Sequence, residues 1–193
     1  MKLVLASSNQ GKLTELRELL GEGFTLHAQS EVDIRDAEET GASFIENAIL
    51  KARHAARASG LPALADDSGL CVDALGGAPG LHSARYAGTH GNDAANIARL
   101  LEALRDVPGT HRNAHFHCSL VLLRHAADPD PLIAQGRWHG RVLTAPRGSG
   151  GFGYDPVFLD PQLGLSAAEL DAATKNRVSH RGQALARLHE LLD

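Results

Sequence analysis

An unbroken apolar run, KLVLA at 2–6, passes through the polar residues SSNQG into KLTELRELL, where Leu13, Leu16 and Leu20 return at intervals of three and four and charges fill the opposite face. That change of period predicts a buried strand feeding an amphipathic helix over 9–21. The theme recurs. TGASFIENAILKARHAARASG (40–60) reads as a helix with Ser43 and Glu46 as a capping box, Phe44, Ala48, Ala52 and Ala55 along one side, and Gly60 then Pro62 as the stop. It leads into a strand at 61–65, LPALA. Chains that alternate in this way must cover a sheet with helices, which sets the class as α/β.

Further along, Ile97, Leu100, Leu101 and Leu104 predict a helix from about Asn92 to Pro108. AHFHCSLVLLRHA and LIAQGRWHGRVL read as antiparallel strands turned by DPDP, so the sheet is mixed. Near the C-terminus, Ser166 and Glu169 cap one helical segment, and Ala184, Leu185, Leu188, Leu191 and Leu192 form the apolar stripe of another. The Gly/Pro-dense stretches at 76–80 and 146–156 are too short to separate domains, so residues 1–193 are expected to form one.

Composition narrows the function classes. A net charge of -4 and no basic stripe argue against a nucleic-acid-binding module. No 18-residue apolar run offers a membrane span, and the opening MKLVLASSN is too short for a signal-peptide core. Cys71 and Cys118 have no partner motif and suit reduced thiols in a cytoplasmic protein. His115 and His117 share a strand face but have no third ligand at zinc spacing.

The first loop, ASSNQGKLTE, places hydroxyls, an Asn, a Gly and Lys12 at a helix N-terminus, where free N–H groups favour an anion. It is not a Walker loop, since Ala6 and Leu13 stand where that motif needs Gly and Ser or Thr. Ser8 or Asn9 as a plain N-cap, with Lys12 solvated, accounts for it equally well. RGSGGFGYDPVF contains a formal G-x-G-x-x-G, but Pro156 and the strand-like VFL follow instead of a helix, which rules out a dinucleotide fingerprint. It leaves a loop presenting Phe152, Tyr154 and Asp155, whose aromatics either close the core or, beside a phosphate site, stack on a base.

Asp66 and Asp67 follow LPALA directly. Adjacent strand residues point to opposite sides, so one faces a ligand and the other must bond backbone or a cation; DDSG is also good turn chemistry. A second acidic pair, Glu38 and Glu39, precedes the long helix, and two acidic elements can share a hard cation such as Mg²⁺. His180 and Arg181, in SHRGQ, stand at the start of the last helix, either toward an anionic or carbonyl-bearing ligand or as a solvated pair capped by Ser179.

Taken in order, SSNQGK, EETG, FIENAILKAR, ADDSGL, GGAPGLHSARYAG, GGFGYDPVF and SHRGQAL resemble the inosine/xanthosine triphosphate pyrophosphatases along almost the whole chain, departing only at Ser8, a variable place in the first loop. The resemblance implies an elongated mixed sheet flanked by helices, two lobes with a central active-site cleft, and a homodimer. It implies that Ser7, Ser8, Asn9, Gln10, Gly11 and Lys12 hold the triphosphate and that Glu39 and Asp67 bind Mg²⁺. Asp67 is then also the general base for water attacking the α-phosphorus, with pyrophosphate leaving. Lys51 and Lys175 join Lys12 in neutralising charge, and Ser68 contacts substrate. Phe152 stacks on the purine, Gly153, Tyr154 and Asp155 shape its pocket, and His180 and Arg181 read the 6-carbonyl. The implied substrates are ITP, dITP, XTP and dXTP. Two rivals fit the same strings less well: the septum-inhibitor class of nucleotide pyrophosphatases, against which SHRGQ and GGFGYDP argue, and a catalytically idle nucleotide sensor, in which paired carboxylates would weaken triphosphate binding.

Overall fold

The computed structural model describes residues 2–20 and 23–192. KLVLA supplies β1 (Lys2–Leu5), and Leu13, Leu16 and Leu20 are the buried face of α1 (Gln10–Leu20). Gly21, where the sequence ends that helix, lies outside the described residues. A strand that the sequence pattern did not signal, β2 (Thr25–Ala28), runs parallel to β1 with Lys2 opposite Thr25 and Leu5 opposite Ala28.

The long helix is α2 (Phe44–Ser59). Ser43 Oγ accepts from Glu46 N at 3.3 Å, while Glu46 Oε2 accepts from Ala42 N at 2.8 Å, satisfying donors that the helix start leaves open. Gly60, at φ 70°, closes the other end by donating to Ala56 O, a left-handed cap that glycine adopts without strain. Ala48, Ala52, Ala55 and Ala56 are buried, but Phe44 is only half-buried, so the apolar side is built from methyl groups.

The next strand departs from expectation. Instead of ending at 65, β3 spans Ala63–Val72, so Asp66 and Asp67 lie inside a strand and not in a loop after it. Then come α3 (Asp93–Ala103), whose Asn92 cap accepts from Ala95 N, and the two long strands β4 (Asn113–Leu123) and β5 (Leu132–Val142). After Pro156 the chain does form a strand, β6 (Phe158–Asp160), followed by β7 (Leu165–Ser166). Ser166 and Glu169 cap only a single 3-10 turn; the helix beyond, α4 (Ala172–Val178), is capped by Asp171. In α5 (His180–Leu192), Ala184, Leu185 and Leu188 are buried, whereas Leu191 is 50% exposed and Leu192 is also exposed, so the apolar stripe stops a turn early.

The sheet order is β2-β1-β3-β4-β5-β6-β7. β1 is parallel to β2 and β3, and β6 is antiparallel to β5 and β7, giving a mixed seven-stranded sheet flanked by helices.

The chain forms two compact units. The first comprises Met1–Asp67, Cys118–Gly136 and His180–Asp193. Beyond Lys2, β1 is buried on both faces, which is why KLVLA reads as a continuous apolar run. Leu3, Leu5 and Leu64 join α1 and α5 in one cluster, and Val4, Ala6, Ala63 and Ala65 join the α2 alanines in another. The second unit comprises Ser68–His117 and Arg137–Ser179, around Leu70, Leu100, Leu104, Tyr154 and an aromatic group in which Phe158 lies 4.6 Å from Phe116 and 4.9 Å from Trp138, centroid to centroid. Trp138 Nε1 satisfies its donor on Asp160 Oδ2 at 2.8 Å.

Candidate active site

The period of two along β3 settles what the adjacent aspartates do. Asp66 falls on the side of Leu64, toward α1 and α5, and Asp67 on the side of Ala65, toward α2. Asp66 is fully enclosed, at 0% exposure. Its Oδ1 accepts from Lys12 Nζ at 2.7 Å, and its Oδ2 accepts from Arg181 Nε at 2.6 Å and more weakly from Cys118 Sγ at 3.5 Å. The Arg181 guanidinium, 2% exposed, also donates through Nη1 to Glu15 Oε2. Burial opposes charge on Asp66, yet Arg181 and Lys12 overcome it and hold the carboxyl well below the usual range. Of the two partners expected for the aspartate turned from a ligand, backbone or a cation, Asp66 takes the cation, and takes two.

On the other side, Lys51 Nζ donates to Asp67 Oδ1 at 2.6 Å, to Asp66 O at 2.8 Å and to Glu39 Oε1 at 3.1 Å. Two carboxylates from distant segments therefore meet on one ammonium, and their bonded oxygens are no further apart than those two bonds together. Glu38, by contrast, is exposed, so the acidic pair at 38–39 divides between solvent and site. Burial is the largest influence on Asp67 and outweighs the pull of Lys51 and Lys12, so its carboxyl lies above the ordinary aspartate range. Burial also works against the Lys51 ammonium, but Asp67 and Glu39 prevail and raise it. Like charges this close are offset by a cation between them, and here that cation is the Lys51 ammonium. Hard carboxylate oxygens suit Mg²⁺. Among the described residues no group of three or more His, Cys, Asp or Glu is placed to hold a metal, and Glu39 and Asp67 are the carboxylates here whose oxygens suit such an ion.

In the first loop Asn9 is the N-cap: its Oδ1 accepts from Lys12 N at 3.0 Å and its carbonyl from Leu13 N at 3.0 Å. Ser7 Oγ accepts from Asn9 N at 3.2 Å, and Ser8 Oγ donates to Asp36 Oδ2 at 3.0 Å. Capping and an anion site are compatible, since Gln10 and Gly11 open the first turn of α1, whose N–H groups have no partners within the helix. The reading of Lys12 as solvated does not hold, because its ammonium reaches Asp66.

The aromatic loop belongs to the second unit. Asp155 Oδ2 accepts from Phe152 N at 2.9 Å and from Lys175 Nζ at 2.6 Å, and that ammonium stands 5.0 Å from the centroid of the Phe152 ring. Gly153 N donates to Asp93 Oδ2 at 2.7 Å, and Tyr154 OH donates to Ser83 O at 2.9 Å from a buried position. Tyr154 closes the core, while Phe152 stays half-buried. Ser68, half-buried, begins this unit's part of β3.

The first unit therefore carries the 7–12 loop, Glu39, Lys51, Asp67, His180 and Arg181; the second carries Ser68, Phe152, Gly153, Tyr154, Asp155 and Lys175. Two contributors escaped the sequence. Glu15 belongs to the face of α1 that reads as solvated, and only a partner 166 positions away reveals its role. Gly136 permits α5 to start where it does, because a Cβ there would collide with His180 O and stand 2.7 Å from Ala184 N.

A model of the Ham1 family matches residues 3–191. The chain belongs to the Ham1 family. A solved Ham1 protein from Coxiella burnetii is 51% identical, with a TM-score of 0.91 over 100% of this chain and 98% of that one. The Ham1 protein of Staphylococcus aureus, 38% identical, gives 0.87 over the same shares. The dITP/XTP pyrophosphatase of Xanthomonas campestris is 61% identical over 98% of this chain and 96% of its own length, and that of Vibrio cholerae is 55% identical over 100% and 96%.

Proposed function

We propose that this Ham1 chain hydrolyses deaminated purine nucleoside triphosphates, ITP, dITP, XTP and dXTP, to the monophosphate and pyrophosphate, clearing them from the nucleotide pool before they enter DNA or RNA. The observation that carries the reading is the meeting of Glu39 and Asp67 on Lys51, with Lys12 anchored across the same strand. Relatives at 55–61% identity that are named dITP/XTP pyrophosphatase support the choice of substrate.

In this reading the 7–12 loop and the start of α1 hold the triphosphate through N–H groups and hydroxyls, and Lys12 and Lys51 face the phosphate oxygens. Asp67, with its carboxyl raised by burial, accepts a proton from water directed at the α-phosphorus. Ser68 contacts the substrate beside it. Glu39 and Asp67 fit Mg²⁺ by donor type and by their convergence on a cation, and the ion when bound would neutralise phosphate charge. The Phe152 ring stacks on the purine, with Gly153, Tyr154 and Asp155 shaping the pocket and Lys175 adding positive charge. His180 and Arg181 donate toward the 6-carbonyl, which hypoxanthine and xanthine possess and adenine replaces with an amino group.

The test is product analysis. Purified protein with Mg²⁺ should convert ITP to IMP and pyrophosphate far faster than it turns over ATP. Release of orthophosphate would contradict attack at the α-phosphorus, and equal turnover of ATP would remove the base selectivity. Full activity in excess chelator would exclude the metal. Sedimentation should report a homodimer in place of a monomer. No described helix is long and apolar enough to cross a membrane; the proposed partners are small nucleotides, not nucleic acid or membrane, and the proposed compartment is the cytoplasm.

A further inference from the structure

Asp66 is enclosed on all sides and cannot touch a nucleotide, yet it binds two cations that reach it from different helices, α1 and α5. We propose that Asp66 is a positioning residue that locks into one geometry Lys12 and Arg181, the cations assigned above to the triphosphate and to the purine, so that removing its charge weakens phosphate binding and purine discrimination together. The inference rests on the function proposed above.

The two carboxylate oxygens serve different cations, Oδ1 taking Lys12 from the first turn of α1 and Oδ2 taking Arg181 from the first turn of α5. Both cations sit on long stems that otherwise sample many rotamers. An ammonium has three donors, so anchoring one directs the others without consuming them. Arg181 is anchored twice, at Nε by Asp66 and at Nη1 by Glu15, which fixes the plane of the guanidinium as well as its place. A polar cluster this deep is a poor device for stability alone, because apolar residues of equal volume commonly serve as well. Its output is orientation, and orientation within a fraction of an ångström is what a transition-state site requires.

The isostere Asp66→Asn separates the roles. An amide has one acceptor oxygen and one NH₂, while Lys12 and Arg181 only donate, so one cation must face a donor and the other loses half its charge partner. Inhibition by inorganic triphosphate, which has no base, reports Lys12; the ITP-to-ATP ratio of kcat/KM reports Arg181. In Asp66→Asn, the triphosphate inhibition constant should rise by roughly tenfold and the ITP-to-ATP ratio should fall by a similar factor, the scale of a lost charge-assisted bond. Should the amide not fold, Asp66→Glu keeps the charge but displaces the carboxylate by one methylene, and it should shift both readouts in the same direction. Cys118→Ala removes the third, weak donor and opens the core nearby. It should lower the melting temperature and leave both readouts in place.

A folded Asp66 variant that keeps either readout at the wild-type value overturns the proposal, as does wild-type protein that ignores inorganic triphosphate. Equal shifts in Cys118→Ala would reduce the effect to general core damage and overturn it too. If the wild-type protein releases no pyrophosphate from ITP, the function itself falls; if it does and the Asp66 variants behave as wild type, only this inference falls.

Discussion

Gly136→Ala adds one methyl group at a point where the structure leaves no room for it. The new carbon would lie 2.7 Å from Ala184 N and 3.0 Å from Gln183 Cβ, and nearer still to His180 O, where ordinary contact begins at 3.4 Å. Two of these neighbours are backbone atoms at the start of α5, so no side-chain rotation relieves the clash, and the helix start must move by about an ångström or more. Overpacking of this kind costs about 1–3 kcal/mol. The unfolded chain loses some freedom when glycine becomes alanine, but that returns only about 0.4–1 kcal/mol. With each kcal/mol worth about 2–4 °C in a chain of this size, calorimetry should find a melting temperature lower by up to roughly 10 °C. His180 and Arg181 are the residues displaced, and misplacement by about 1 Å costs on the order of a hundredfold, so kcat/KM for ITP should fall ten- to a hundredfold and its margin over ATP should shrink. Gly109→Ala, where an added Cβ meets nothing within 4 Å, is the control and should melt no lower than wild type. A Gly136→Ala protein that melts with wild type and keeps the ITP-to-ATP ratio would refute the reasoning.

Asp67→Asn should keep the fold and lose turnover by about a hundredfold or more, and near-wild-type kcat would place the base elsewhere. Because burial raises the Asp67 carboxyl and the base acts deprotonated, activity should fall on acidification at a pH above the ordinary aspartate value of about 3.9. Lys51→Met removes the charge that most strongly lowers that carboxyl and should move this limb to still higher pH, whereas an unmoved limb in the kcat profile would detach Asp67 from it. Phe152→Ala should raise KM for ITP by the equivalent of about 1–3 kcal/mol of stacking, with little change in kcat; an unchanged KM would remove the ring from base binding.

The parts of this fold that local chemistry dictates were visible in the sequence. Leu13, Leu16 and Leu20 announced α1, and Ser43 and Gly60 marked the ends of α2, because helix periods and caps are set within a few residues. β2 offers only four residues, too few for a period to show. DDSG has turn chemistry, yet it is strand in the structure, because Lys12, Arg181 and Lys51 supply partners that no neighbour in sequence could supply. The same holds at the site. Glu39, Asp67 and Lys51 were legible from composition and resemblance, and they do converge. Glu15 and Gly136 carried no local mark, since the value of a charge on a helix face or of a missing methyl group depends on what arrives from far along the chain.

The border between the two compact units cuts the polypeptide at four places, after Asp67, His117, Gly136 and Ser179. Three of these fall in the middle of β3, β4 and β5, and the fourth at the junction of α4 and α5. No single scission liberates either half as a continuous fragment. A chimera that exchanged one half between two relatives would need four simultaneous splices, three of them through ladders whose register cannot slip by one residue without turning every side chain over.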